Sequence, residues 1–205
     1  MVVIGLTGGI GTGKSTVSRI LTELGAALIN ADKVGHEALK PYTPVWREVV
    51  AAFGREILLP NDEVDRQKLG EIVFNDAAAR LRLNQIMHPQ MFLMMREKIE
   101  GLRRQGVEVV ILEAAVLLEA NWTPLVDEVW VTTAPEATVI QRLRDRSGLS
   151  EAQVLARIRS QLPAEERIKH ADVVINTDCS LDEVEEKVKR LWEELLAREQ
   201  ARRRL

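Results

Sequence analysis

Residues 8–15 read Gly-Gly-Ile-Gly-Thr-Gly-Lys-Ser and follow directly on the apolar run Val2-Val3-Ile4-Gly5-Leu6-Thr7. The spacing G-x-x-x-x-G-K-[ST] is that of a loop that holds a polyphosphate. Its glycines let the backbone turn so that successive N–H groups point inward. The helix expected behind it, over residues 16–24, adds partial positive charge at the same place. On this reading Gly11, Thr12, Gly13, Lys14, Ser15 and Thr16 surround the phosphates of a nucleotide. Lys14 reaches the β- and γ-phosphates, and the Ser15 hydroxyl ligates Mg²⁺.

A phosphate loop alone does not separate a kinase from a GTPase or a motor ATPase. No Asn-Lys-x-Asp segment for reading guanine is present; the nearest, Asn176-Thr177-Asp178, lacks the lysine. A kinase needs in addition a group that handles the acceptor hydroxyl. Asp32, in Ile29-Asn30-Ala31-Asp32, follows the second apolar segment. In an open parallel sheet the strand C-termini face the ligand crevice. A carboxylate there accepts the proton of an attacking hydroxyl or holds Mg²⁺ through water. It can equally cap the helix that follows.

Glu113 ends the third apolar segment, where it either associates with Mg²⁺ or needs a structural partner, because a lone charge in that setting is costly. Glu119 follows the same run. Arg142 and Arg146 lie four apart on one helical face, and a guanidinium suits a clamp that closes on phosphates; a solvated face is the competing reading. His36, His88 and His170 show no metal-ligand spacing, and His88-Pro89 reads as the end of a helical pattern. Trp46, Trp122, Trp130 and Trp192 read as packing residues, with Trp122 the exception to watch.

These residues need a frame. Segments 2–7, 27–30, 107–112, 128–132 and 173–175 are short and rich in β-branched residues, and read as buried strands. Val17, Ile20, Leu21 and Leu24 share one helical face, as do Val184, Val188, Leu191, Trp192 and Leu195. Ser150 with Gln153, and Ser180 with Glu183, are capping-box signals. Strands alternating with helices imply an α/β fold, a three-layer αβα arrangement on a five-stranded parallel sheet. Residues 35–106 break the alternation, and are too long for a loop. They read as a helical insertion that binds the acceptor, and the arginine-bearing stretch 142–166 as a lid. The core is then residues 1–34, 107–141 and 167–205 of one domain.

The 205 residues are 46% hydrophobic and 29% charged, with net charge −3, which gives no field for general nucleic-acid binding. Cys179 is the only cysteine, so no intrachain disulfide forms. The run from Val107 is broken by Glu108, Glu113 and Glu119 and cannot span a membrane. No signal-type start is seen, so cytoplasmic residence is the default expectation. The tail from Arg198 reads as a solvated helix end.

Over nearly its whole length the chain resembles the dephospho-CoA kinase family. The resemblance rests on Ile4 through Thr16, Ala31-Asp32, Phe53-Gly54, Asp65-Arg66, Leu69, Val73-Phe74, His88-Pro89, Leu117-Leu118-Glu119, Arg142-Leu143, Arg146, Gln161 and Ala171-Asp172. The chain departs from the family pattern at Asn30, Glu113, Ala115 and Thr177. The resemblance implies that ATP, with Mg²⁺, phosphorylates the ribose 3′-hydroxyl of dephospho-CoA. Asp32 would be the base, with Lys14 and Arg142 acting on the transferred group. Asp32, Arg66, His88, Glu119 and Arg146 would contact the acceptor, and Ser15 and Glu113 the metal. A nucleoside or nucleotide kinase, and a non-catalytic ATP-binding regulator, are the alternatives.

Overall fold

The β-branched segments pair as a parallel sheet in the computed structural model, which describes residues 1–147 and 150–202. The strands are β1 (Val2–Gly8), β2 (Ala27–Asn30), β3 (Val109–Glu113), β4 (Glu128–Thr133) and β5 (Val173–Asn176), in the order β2-β3-β1-β4-β5. Every residue of β1 is buried, as a central strand covered on both faces requires. Its register sets Leu6 beside Glu113 and Gly8 beside Thr132. The ends of three neighbouring strands therefore frame the loop that leaves β1.

Helix α1 (Lys14–Glu23) starts inside the phosphate loop, earlier than residue 16. Its Val17, Ile20 and Leu21 join Val184, Val188, Trp192 and Leu195 of α9 (Leu181–Arg202) in one buried cluster over β1, β3 and β4. Between β4 and β5 lie α6 (Glu136–Ser147), α7 (Glu151–Arg159) and α8 (Ala164–Ile168). Both capping boxes form, Ser150 with Gln153 and Ser180 with Glu183. Val139 and Leu143 of α6 and Val154 of α7 form a small core of their own, packed with Ile10 of the phosphate loop.

Residues Asn30–Lys98 form one compact unit and the rest of the described chain another. Among the described residues the first holds α2 (Ala31–Ala38), α3 (Pro44–Phe53), α4 (Arg66–Asn75) and most of α5 (Ala77–Arg104), with a single isolated bridge, Leu58 to Val64, across the 59–62 turn. Thr43 caps α3 ahead of a proline at the first helical position. Asp65 caps α4 by accepting from Gln67 and Lys68 N–H groups, both at 3.1 Å.

Three expectations need correcting. His88-Pro89 does not end a helix: α5 runs through Pro89. An interior proline costs about 3 kcal/mol. Met87, Met91, Met95 and Ile99, at intervals of four, are all buried, each worth about 1.5–3 kcal/mol, so the continuous face wins. Strand β3 starts at Val109 rather than at residue 107, because Val107 N–H bonds to Leu102 O and Gly106 N–H to Arg103 O, with Gly106 at φ 76°. That pair of bonds is a Schellman cap, which spends Val107 on closing α5. The tail is not merely solvated: Arg198 pairs at 3.1 Å with Glu128, which is buried. Arg203 and Arg204 lie outside the described residues.

Candidate active site

Two glycines of the loop are required by their neighbours. Gly8, at φ 152°, stands so close to β4 that a Cβ would lie 2.3 Å from Thr132 Oγ1. Gly13, at φ 86°, precedes α1 in the left-handed region, where a side chain is strained. Thr12 is buried; its hydroxyl donates to Gly9 O at 2.8 Å and lies 2.7 Å from the Thr132 hydroxyl. The turn is thereby closed on itself and tied to β4. Lys14 Nζ donates to Gly8 O at 2.8 Å and Gly9 O at 3.1 Å, so the ammonium curls back over the loop.

A cavity of about 420 Å³ opens on this loop. Gly11, Gly13, Lys14, Ser15 and Thr16 line it, and Glu113, Arg142 and Arg146 are brought to the same wall. Ser15 is exposed. The Glu113 carboxylate accepts from Ser18 Oγ at 2.8 Å, so it has both a structural partner and a place in the cavity.

The donor set is hard oxygen, one hydroxyl and one carboxylate, which suits Mg²⁺. No group of three or more acidic, histidine or cysteine residues that could hold a metal occurs among the described residues.

Arg142 does not stand free as a swinging clamp. Its Nη2 donates to Thr177 O at 2.6 Å, and its Nη1 to Thr177 Oγ1 at 3.0 Å and Gly11 O at 3.4 Å. Arg146, one turn on, is exposed and reaches the same cavity.

Glu119 is engaged by Arg167, which donates to it at 2.6 Å. Arg167 is only 1% exposed, and donates also to Ala115 O at 2.9 Å, Thr7 Oγ1 at 3.2 Å and Leu162 O at 3.3 Å. A guanidinium offers five donors in a fixed fork, and here one fork joins the end of β1, the segment after β3 and the start of α8. Beside it, Gln161 Oε1 accepts the Ile10 N–H at 2.8 Å. In the sequence Arg167 stands among charged residues, Glu165-Glu166-Arg167-Ile168-Lys169, where no spacing marks it out. A second cavity, of about 490 Å³, lies between Gly9, Ile10, the end of β4 and Gln161. Trp122 is no exception among the tryptophans: it is 1% exposed and belongs to the core.

The remaining predicted residues belong to the helical unit. Asp32 is exposed in the first turn of α2 and does not cap it. The cap is Asn30, whose Oδ1 accepts from Lys33 N–H at 3.0 Å. Arg66, also exposed, is the first residue of α4, directly behind its cap. His88 is half-buried within α5.

Residues 2–183 match the family profile described as dephospho-CoA kinase. The chain belongs to the dephospho-CoA kinase family. It is 46% identical to a dephospho-CoA kinase of Carboxydothermus hydrogenoformans, over 91% of this chain and 90% of that one. It is 45% identical to one from Geobacter sulfurreducens, over 94% and 98%. Among solved structures, a dephospho-CoA kinase from Campylobacter jejuni superposes with a TM-score of 0.71 at 27% identity, covering 94% of this chain and 96% of that chain. Membership in this family makes the chain a kinase with a phosphate-loop fold, a transferase that works with ATP.

Proposed function

We propose that the chain phosphorylates the ribose 3′-hydroxyl of dephospho-CoA with ATP and Mg²⁺, giving CoA and ADP. The observation that carries this reading is a single cavity that collects Lys14, Ser15, Glu113, Arg142 and Arg146 around the phosphate loop of a chain in this family. Phosphoryl transfer asks for positioning and charge stabilisation more than for covalent chemistry. The loop N–H groups from Gly11 to Thr16 bind the ATP phosphates, and Lys14 offsets charge on the γ-phosphoryl group. Ser15 and Glu113 would hold the Mg²⁺, which would supply positive charge to offset that of the polyphosphate. The acceptor 3′-oxygen bonds to the γ-phosphorus as the bond from that phosphorus to the β-bridging oxygen breaks. Asp32 orients the hydroxyl and takes its proton.

Arg66 contacts the acceptor's phosphates or ribose, and His88 contributes to acceptor binding. Glu119, held by Arg167, contributes to acceptor binding as a fixed carboxylate. Arg66→Ala then weakens acceptor binding far more than ATP binding; equal loss for both ligands counts against this division. The deciding experiment is ADP release by the purified protein with dephospho-CoA, adenosine, AMP and shikimate as acceptors. Turnover with dephospho-CoA well above the others supports the reading, and turnover with a nucleoside or nucleotide instead overturns it.

A further inference from the structure

Thr177 is 3% exposed and follows the last residue of β5. Its N–H donates to Thr133 O at 2.9 Å, which pins it to the end of β4. Its hydroxyl works in two directions. It accepts from Arg142 Nη1 at 3.0 Å and donates to Thr12 O at 3.0 Å. Its own carbonyl accepts from Arg142 Nη2 at 2.6 Å. Both ends of one guanidinium edge thus rest on a single residue, a fork that a lysine could not make. The Thr177 methyl fills the space over Gly13, 3.2 Å from where a Cβ would stand. One side chain therefore joins the phosphate loop, α6 and the strand end that closes the cavity.

We infer that Thr177 is a positioning residue for nucleotide binding: its hydroxyl carries the register of the phosphate loop to Arg142. The inference rests on the placing of Arg142 at the nucleotide above. An arginine free to rotate surrenders its rotamer freedom on binding. One already held by neutral acceptors does not, so the cost is removed from the binding step. The effect belongs in ATP binding rather than in the transfer itself, because Thr177 lies behind Arg142 and has no donor aimed at a reacting atom.

The test uses Thr177→Val, which keeps the shape and removes the hydroxyl, and Thr177→Ser, which keeps the hydroxyl, each made alone and the first also with Arg142→Met. Steady-state kinetics with ATP and dephospho-CoA separate the two KM values and kcat. Thr177→Val raises KM for ATP about tenfold, as expected for a lost hydrogen bond to a charged group. It leaves kcat and the acceptor KM within about twofold, and Thr177→Ser returns the ATP KM to within about twofold of wild type. On the Arg142→Met background Thr177→Val adds almost nothing, because partners in one network are not additive. An unchanged ATP KM in Thr177→Val, a Thr177→Ser as impaired as the valine, or a full effect without Arg142 overturns the inference. Where Arg142→Met raises the ATP KM and Thr177→Val does not, only the inference falls; where Arg142→Met itself changes nothing, the placing of Arg142 falls with it. Should Thr177→Val not fold, Arg142→Lys reads the same contact by breaking the fork from the other side, with the same rise expected and an unchanged ATP KM overturning it.

Discussion

The two compact units hold their chemical groups by opposite means. In the sheet unit the residues proposed to act are fixed by their surroundings. Lys14 folds back on two carbonyls, Arg142 rests on Thr177, and Glu119 on a buried guanidinium. In the helical unit Asp32 and Arg66 are exposed, and each sits in the first turn of a short helix held by the cap just before it. A group that must meet a constant polyphosphate gains from a rigid cradle. A group that must meet an acceptor hydroxyl needs only a fixed base and an open tip. The difference teaches where substitutions are felt: in the sheet unit they spread through networks, and in the helical unit they stay local.

Four substitutions probe that contrast, from the largest effect to the smallest. Lys14→Ala removes the charge proposed to meet the transferred group, so turnover falls by orders of magnitude, about 10²- to 10³-fold or more. Circular dichroism should stay native-like, and a folded variant with near-wild-type ADP release would sink the phosphate-loop assignment. Asp32→Asn should lower kcat about 10²- to 10⁴-fold, with ATP affinity little changed. Its thermal midpoint should stay within a few degrees of wild type, because Asn30 and not Asp32 caps α2. Wild-type turnover would move the search for the base elsewhere, with Glu113 the first candidate.

Arg167→Met sharpens the contrast most in stability. It takes the guanidinium from Glu119 and removes the donors to Ala115, Thr7 and Leu162. Breaking a buried pair from one side costs about 3–5 kcal/mol; the more open Glu119 side puts the expectation near the lower figure. Urea unfolding reads it, and a midpoint equal to wild type would show the network to be idle. Asn30→Ala is the small, local change, about 1 kcal/mol for a lost cap. It should loosen α2 in hydrogen exchange and leave the sheet unit's amide protection as it was. Loss of protection across both units would contradict the local character claimed for the helical unit.

What was legible in the sequence follows the same division. The phosphate loop was readable because its chemistry is contained in eight consecutive residues, Gly8 to Ser15, and the strands because parallel strands buried on both faces are continuous apolar runs. Boundaries shifted where backbone hydrogen bonding outside the pattern decided, as at Val107. Pro89 misled because a local breaker was weighed without the methionine face that overrides it. Arg167, and the contacts of Thr177 though not its departure from the family pattern, were beyond reach for a different reason. Their partners lie far away in the chain, Thr7 and Thr12, so neither a spacing nor a periodicity records them. Asp32 was placed at the right strand end, yet its alternative role as a cap belonged two residues earlier, to a side chain equally suited to it.

That cap is an amide, and amides do not titrate. The start of α9 is built differently: Glu183 accepts from the Ser180 backbone N–H at 2.8 Å, and that bond holds its carboxyl below the usual carboxylate range. A carboxyl with a depressed folded-state value contributes stability above its unfolded value and loses it as the pH falls through the folded one. Acid should therefore loosen the entry of α9 while the Asn30–Lys33 bond at the start of α2 stays intact. The helix that carries Asp32 keeps its first turn through the pH range in which carboxylates discharge, so a fall in turnover there is not the unwinding of its support.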